Sequence, residues 1–323
     1  MPWWTEKCTR ARCRAPAHRG GGEGHLADRR RVGILWRLLQ SSLNRDRSGT
    51  QARGSKPGRR RESWMAIQLK SKDDIRRMRE AGRVVHRVLE QCRKLCLPGT
   101  TTREIDEAAL EVFEAVGARG LFKNYPTYKP SEGFPSNLCI SVNEQVVHGI
   151  ASDRRIEDGD IVGIDCGVEL GGWCGDAATT VMVGQVRPQV RRLCEVTSHL
   201  LDLAVANIRP GRRWSQIARL MQGYAEKAGM SVVRNFVGHG IGRKMHEQPQ
   251  VPNYVSDELL RKDILLREGL VLAIEPMCNL GSHAVVTESD GWTVTTADRQ
   301  PSAHFEHTVA VSADGAEVLT NGS

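Results

Sequence analysis

The chain has 323 residues, 40% of them hydrophobic and 26% charged, which is enough for one large or two ordinary domains with a packed core. The net charge of +8 is unevenly placed: residues 1–64 carry 16 Lys and Arg against 5 Asp and Glu, and the other 259 residues carry 30 against 33, so the basicity belongs to the leading segment and not to the body. Nine cysteines with no C-x-x-C spacing exclude a disulfide scaffold and a zinc ribbon and fit a reducing, cytosol-like compartment.

Residues 1–62 are rich in Arg and Gly and show no sustained hydrophobic period, the composition of a disordered extension. Three readings are open for the first 64 residues: a targeting segment, a nucleic-acid arm, or dispensable sequence ahead of a start at Met65. The Val32–Leu39 run is broken by Gly33 and Arg37, and no later run approaches the ~18 apolar residues of a membrane span. A soluble body from 65 to 323 is expected.

From Ser71 the period becomes helical, with Ile75, Met78, Val85, Val88, Leu89 and Cys92 on one face and Pro98-Gly99 as the stop. A second helix is predicted from about Thr102 to Val116, capped by Thr101 or Thr102. A similar layout returns 112 residues later: a helix from Pro188 to Ile208, a Pro210-Gly211 stop, Ile217 where Ile105 stood and Gly229 where Gly117 stood. This suggests duplication, with a cleft between related halves as the natural site. Strands are predicted over Leu138–Val147, Ile161–Val168, Trp173–Val183, Val232–Val237, Leu270–Ile274 and His304–Val311, giving an α+β body.

The stretch Asp158–Val183 reads as a hairpin. With Leu170 and Gly171 as turn residues, Asp165 faces Asp176; a turn one residue further on makes the pair diagonal. Like charges so close need a bound metal, a basic neighbour or a shared proton. Four further segments offer ligands near strand ends: His148 in NEQVVHGI (143–150), His239 and His246 in GHGIGRKMHEQP (238–249), Glu275 in VLAIEPM (271–277) and Glu306 in HFEHT (304–308). Two aspartates, two glutamates and one histidine form a set whose four negative charges balance two divalent cations, and its oxygen-rich character favours Mn, Fe(II) or Co over a structural zinc. Such a pair of ions is equipment for amide hydrolysis. A dinucleotide fingerprint fails at Arg243, an H-E-x-x-H helix fails at Pro249, and no G-x-S-x-G elbow occurs.

Taken in order and spacing, NEQVVHGI, DGDIVGIDCG with GDAATT, GHGIGRKMHEQP, AIEPM and HFEHT resemble type I methionine aminopeptidase over residues 66–320. The resemblance implies a pita-bread fold of two pseudo-symmetric halves with curved antiparallel sheet and outer helices. It implies metal ligands Asp165, Asp176, His239, Glu275 and Glu306, the second and last bridging two ions, and His148 and His246 as substrate-contacting residues. Glu275 becomes the proton relay, and Cys139, Phe134 and Trp292 are carried over as the methionine pocket.

The implied activity is removal of initiator methionine from nascent polypeptides with a small second residue. A cytoplasmic enzyme is expected, or an organellar one if the extension is a transit segment. Transient ribosome contact is possible by substrate class, no membrane partner is expected, and nucleic acid is expected only through the basic arm. A proline-directed peptidase of the same fold and a catalytically silent binding module are the alternatives. Met245 replaces the usual aromatic before His246, His304 the usual glutamine before Phe305-Glu306, and loop 123–132 departs from the commoner pattern, so the pocket's shape is the least transferable feature.

Overall fold

A computed structural model describes residues 67–126 and 133–323. The basic arm, Cys8, Cys13 and most of the KNYPTYKPSE loop lie outside the described residues. The elements in order are α1 (Lys72–Leu95), α2 (Thr102–Val116), β1 (Arg119–Gly120), β2 (Cys139–Val142), β3 (Gln145–Val147), β4 (Ile161–Leu170) and β5 (Trp173–Met182). They continue with α3 (Pro188–Asn207), α4 (Trp214–Lys227), β6 (Ser231–Val232), β7 (Gly238–Gly240), β8 (Glu247–Val251) and α5 (Asp257–Arg261). The last are β9 (Val271–Ile274), β10 (Met277–Asn279), β11 (Val285–Thr287), β12 (Val294–Thr296), β13 (Ser302–His304), β14 (His307–Ser312) and β15 (Gly315–Val318).

The helices start where the sequence signals them. Ser71 and Thr101 each close a capping box with the acid three residues on, Asp74 and Glu104, satisfying end N–H groups at about 1 kcal/mol per cap. Gly117 ends α2 in the left-handed region at φ 67°. The inward faces of α1 and α2 bury Met78, Val85, Val88, Ile105 and Val112 completely or nearly so.

Each half has its own core. Helices α1 and α2 pack on β2, β4 and β5 through Val85, Cys92, Ile105, Val162 and Ile164, while α3 and α4 pack on β9 and β14 through Leu193, Leu200, Trp214, Leu272 and Val309. Trp214 is fully buried, and its indole N–H donates to Pro252 O at 2.7 Å. The sheets are antiparallel throughout their pairings: β1-β4-β2 with β5 on β4, and β15-β14-β9-β7-β8, flanked by β13-β10-β6 and β11-β12-β3.

The duplication suggested by Pro98-Gly99 and Pro210-Gly211 is visible in the backbone. Gly99 N donates to Ile156 O and Gly211 N to Leu266 O, both at 2.8 Å, and the isolated bridges Thr101↔Arg155 and Arg213↔Leu265 follow in each half. Gly159 and Gly269 then take the same positive-φ turn, at 92° and 84°, before β4 and β9. Asp165 and Glu275 each lie six residues beyond that glycine, so the repeat delivers one carboxylate from each half.

The halves are sewn together along β5 and the β13–β14 segment. Ala178 and Glu306 exchange backbone bonds at 3.3 and 2.9 Å, and the Thr308 hydroxyl bonds both the N and O of Asp176. Thr180 does the same for His304. Asp176 and Glu306 therefore sit on the seam.

Several predicted elements differ. The 138–147 strand is two strands, β2 and β3, because Asn143 takes φ 56° between them. The 232–237 strand shrinks to Ser231–Val232, and α3 stops at Asn207. The 304–311 strand is interrupted at Phe305-Glu306, the point where the chain crosses between sheets.

Candidate metal centre and the apolar cluster beside it

The hairpin turn uses Gly171 and Gly172, at φ 59° and 78°, rather than Leu170 and Gly171. A two-residue hairpin turn of this kind needs positive φ at both positions, which glycine adopts freely and leucine does not. The register therefore pairs Asp165 with Ala178 and Asp176 with Gly167, and the direct opposition of the two aspartates gives way to the diagonal arrangement. Both still occupy one face, at the ~7–8 Å spacing of diagonal neighbours.

The other candidates arrive from the second half. His239 lies on β7 opposite Ala273 of β9, Glu275 follows the end of β9, and Glu306 sits in the break between β13 and β14. His239 Nε2 is 3.8 Å from both Asp176 Oδ2 and Glu275 Oε1. Ligand atoms of Asp176, His239 and Glu306 all lie within 4.8 Å of one another, and all three residues are buried. Two atoms each about 2.1 Å from a shared cation lie no more than about 4.2 Å apart, so the 3.8 Å contacts suit common ligation. His239 Nδ1 is 3.0 Å from Gly240 O, a bond that puts the proton on Nδ1 and turns the Nε2 lone pair toward the carboxylates.

The electrostatics ask for a cation. Asp165 Oδ1, Asp176 Oδ1 and Glu306 Oε1 are buried with no hydrogen-bond partner. Burial pushes Asp165 up to about 7, and burial together with the neighbouring carboxylates pushes Asp176, Glu275 and Glu306 well above the usual range. The imidazoles beside them do not compensate: burial lowers His239 to about 4 and His304 to about 3. Four desolvated carboxyl groups held this close are costly unless positive charge is brought in. The donor set, oxygen-rich with one imidazole, fits divalent cations.

Of the two remaining histidines, His246 lies against His239 with ring centroids 4.3 Å apart, and its Nδ1 is 2.8 Å from the Tyr125 hydroxyl. His148 follows β3 at φ 58° and meets the Phe236 ring edge-on at 5.4 Å. Burial pulls His148 down to about 4 and His246 well below the ordinary value, so both rings are neutral near pH 7. The loop of His246 is held by its neighbour Glu247, whose carboxylate receives the buried Lys70 ammonium at 2.5 Å.

Phe134, Cys139 and Trp292 come together with Phe122, Met245 and Tyr125 in one apolar cluster next to these groups. Phe134 and Trp292 are edge-to-face at 5.1 Å, and Cys139 pairs in register with Asp165. Sequence reasoning missed Phe122, Tyr125 and Gly167. A Cβ on Gly167 would lie 2.9 Å from the Phe122 ring and 3.1 Å from Met245 Sδ, so only a bare backbone lets these two side chains pack here. An isolated glycine two positions after a strand carboxylate was the available signal.

Residues 76–313 match the family model described as metallopeptidase family M24. A methionine aminopeptidase of Clostridium perfringens is 44% identical over 254 residues, covering 79% of this chain and 98% of that protein. The chain belongs to the methionine aminopeptidases of metallopeptidase family M24. Methionine aminopeptidase 1 of Bacillus subtilis is also 44% identical, over 75% of this chain and 94% of its own. The crystal structure of the Thermotoga maritima methionine aminopeptidase superposes with TM-score 0.74 at 39% identity, over 79% of this chain and 99% of that one. A prolidase from Pyrococcus horikoshii, 22% identical with TM-score 0.62, shares the fold. These likenesses and the two-halved backbone identify the architecture as the pita-bread fold of these metallopeptidases.

Proposed function

We propose that this metalloaminopeptidase removes the N-terminal methionine of nascent polypeptides whose second residue is small, using two divalent cations held by Asp165, Asp176, His239, Glu275 and Glu306. The observation that carries the reading is the buried carboxylate set around His239 Nε2, with an oxygen of Asp165, Asp176 and Glu306 lacking a hydrogen-bond partner, beside an apolar cluster. Mn, Fe(II) and Co suit a set of this softness. Asp176 and Glu306, on the seam between the halves, would sit at the centre of that ligand set.

Divalent cations bound there supply a nucleophilic water at neutral pH and polarise the scissile carbonyl. The apolar cluster takes the methionine side chain, where thioether and aromatic contacts add a modest amount. Asp165 receives the free α-amine. Glu275 moves the proton from the attacking water to the leaving nitrogen; its Oε1 faces His239 while its Oε2 faces His304, 3.9 Å away. His148 holds the scissile amide nitrogen. His246 donates to the developing oxyanion, a task worth roughly 3–4 kcal/mol for one well-placed donor.

A short peptide panel tests the assignment. Metal-loaded protein is expected to release methionine from Met-Gly and Met-Ala peptides and to leave X-Pro peptides intact. Cleavage of X-Pro peptides alone would move the chain to the proline-directed peptidases, and cleavage of none with Mn, Fe(II) or Co supplied would favour a silent module. Residues 1–64 are assigned no part in catalysis, so a chain beginning at Met65 keeps full turnover. Action on new chains in the cytoplasm, in passing contact with the ribosome, follows from this substrate class; among the described residues no helix is long and apolar enough to cross a membrane.

A further inference from the structure

Tyr125 belongs to two groups that the reaction otherwise keeps apart. Its ring packs in the apolar cluster with Phe122, Phe134 and Met245, and its hydroxyl lies 2.8 Å from His246 Nδ1, the two rings meeting edge-on with centroids 5.7 Å apart. A neutral imidazole has one N–H to give, and the partner of one nitrogen decides which nitrogen carries it. A phenol is the better donor of this pair, so the bond Tyr125 O–H to Nδ1 leaves the proton of His246 on Nε2.

The segment bearing Tyr125 is fastened to the pocket wall. Asn124 N donates to Phe134 O at 2.7 Å, Phe134 N donates to Tyr125 O at 3.1 Å, and Tyr125 N donates to Phe122 O at 2.8 Å. Phe134 in turn packs edge-to-face against Trp292 within the cluster. A side chain that fills the cluster therefore presses on the same short segment that presents the hydroxyl to His246.

We propose that Tyr125 is a positioning residue that links occupancy of the methionine pocket to the oxyanion donor, by holding His246 as the tautomer with its proton on Nε2. The inference rests on the reading of His246 as that donor. Part of the selectivity for methionine then appears in kcat rather than KM, because a substrate that leaves the cluster loosely filled also leaves the donor loosely set.

Tyr125→Phe is the sharp variant. It keeps the ring in the cluster and the three backbone bonds of the segment, and it removes only the hydroxyl. Nitrogen-15 NMR of the histidine rings reads the tautomer without turnover, with metal-free protein and with protein loaded with Mn-free, diamagnetic Zn(II). Wild type is expected to show His246 protonated on Nε2, and Tyr125→Phe a mixture of the two forms. With Met-Ala peptides the variant is expected to lose about tenfold or more in kcat at near-constant KM, as wrong-tautomer variants of other hydrolases do. The kcat ratio between Met-Ala and Ala-Ala peptides should shrink with it.

His246→Ala, run alongside, separates the two levels. Lost turnover in His246→Ala combined with wild-type ring shifts and wild-type kcat in Tyr125→Phe overturns the linkage and leaves the donor role standing. Unchanged turnover in His246→Ala overturns both.

Discussion

Asp165→Asn changes one atom of the cluster from oxygen to nitrogen and removes one titrating group from the metal-free chain. In the folded state burial holds the Asp165 proton to about pH 7, against an ordinary 3.8. The folded chain therefore binds this proton more tightly than the unfolded chain, so folding stability falls as pH rises through that window. A rise of that size corresponds to about 4 kcal/mol at 1.36 kcal/mol per pK unit.

The histidines act in the opposite sense. His148 and His239, lowered to about 4, and His304, lowered to about 3, add stability as pH rises toward 6.5, so a single melting curve mixes the two effects. The difference between variant and wild type cancels the histidine part. In urea unfolding with EDTA, Asp165→Asn is expected to gain on wild type by about 4 kcal/mol between pH 4 and pH 8. Relief of Asp176, Glu275 and Glu306, which all feel the Asp165 charge, adds in the same direction. With saturating Mn(II) the order reverses, because the variant has lost a ligand and the ion stabilises what it binds. A pH-independent difference would refute the desolvated-cluster reasoning.

Three further outcomes are expected. His246→Ala should lower turnover by about 10²–10³ while leaving metal content intact, checked by steady-state kinetics and elemental analysis. Gly167→Ala places a methyl against Phe122 and Met245, an overpacking cost of about 1–3 kcal/mol that should appear as a KM for Met-Ala peptides about tenfold higher, with unchanged metal content. His304→Leu removes a buried Nε2 that has no hydrogen-bond partner, a group whose burial costs about 1–3 kcal/mol, so the metal-free variant should be no less stable than wild type. If Nε2 also steadies Glu275 Oε2 at 3.9 Å, calorimetric Mn(II) affinity should fall about tenfold in the same variant. Reduced stability with unchanged affinity would contradict both expectations.

The helices were legible because their caps and periods are local: Ser71, Thr101 and the stops at Gly99 and Gly211 do their work within a few residues. The closeness of Asp176, His239, Glu275 and Glu306, and the shared face of Asp165 and Asp176, could be anticipated from residue type, motif order and family resemblance. Register was not, because Leu170-Gly171 and Gly171-Gly172 are both plausible turns on paper, and only the left-handed requirement at two successive positions selects the second. The interruption at Phe305-Glu306 depends on Thr180 and Thr308 bonding across the seam, a contact between segments about 125 residues or more apart that no local pattern signals. Tyr125 was missed for the same reason. Its neighbours in sequence suggest a turn, and its partner His246 lies 121 residues away.

The most direct test is an anomalous-scattering map from crystals grown with Mn(II). Two peaks are expected between the halves, each about 2.0–2.3 Å from oxygen or nitrogen atoms of Asp165, Asp176, His239, Glu275 and Glu306, with Asp176 and Glu306 touching both. Peaks lying elsewhere, or an empty cluster at saturating Mn(II), would contradict the assignment of these five side chains as a dinuclear hydrolytic centre.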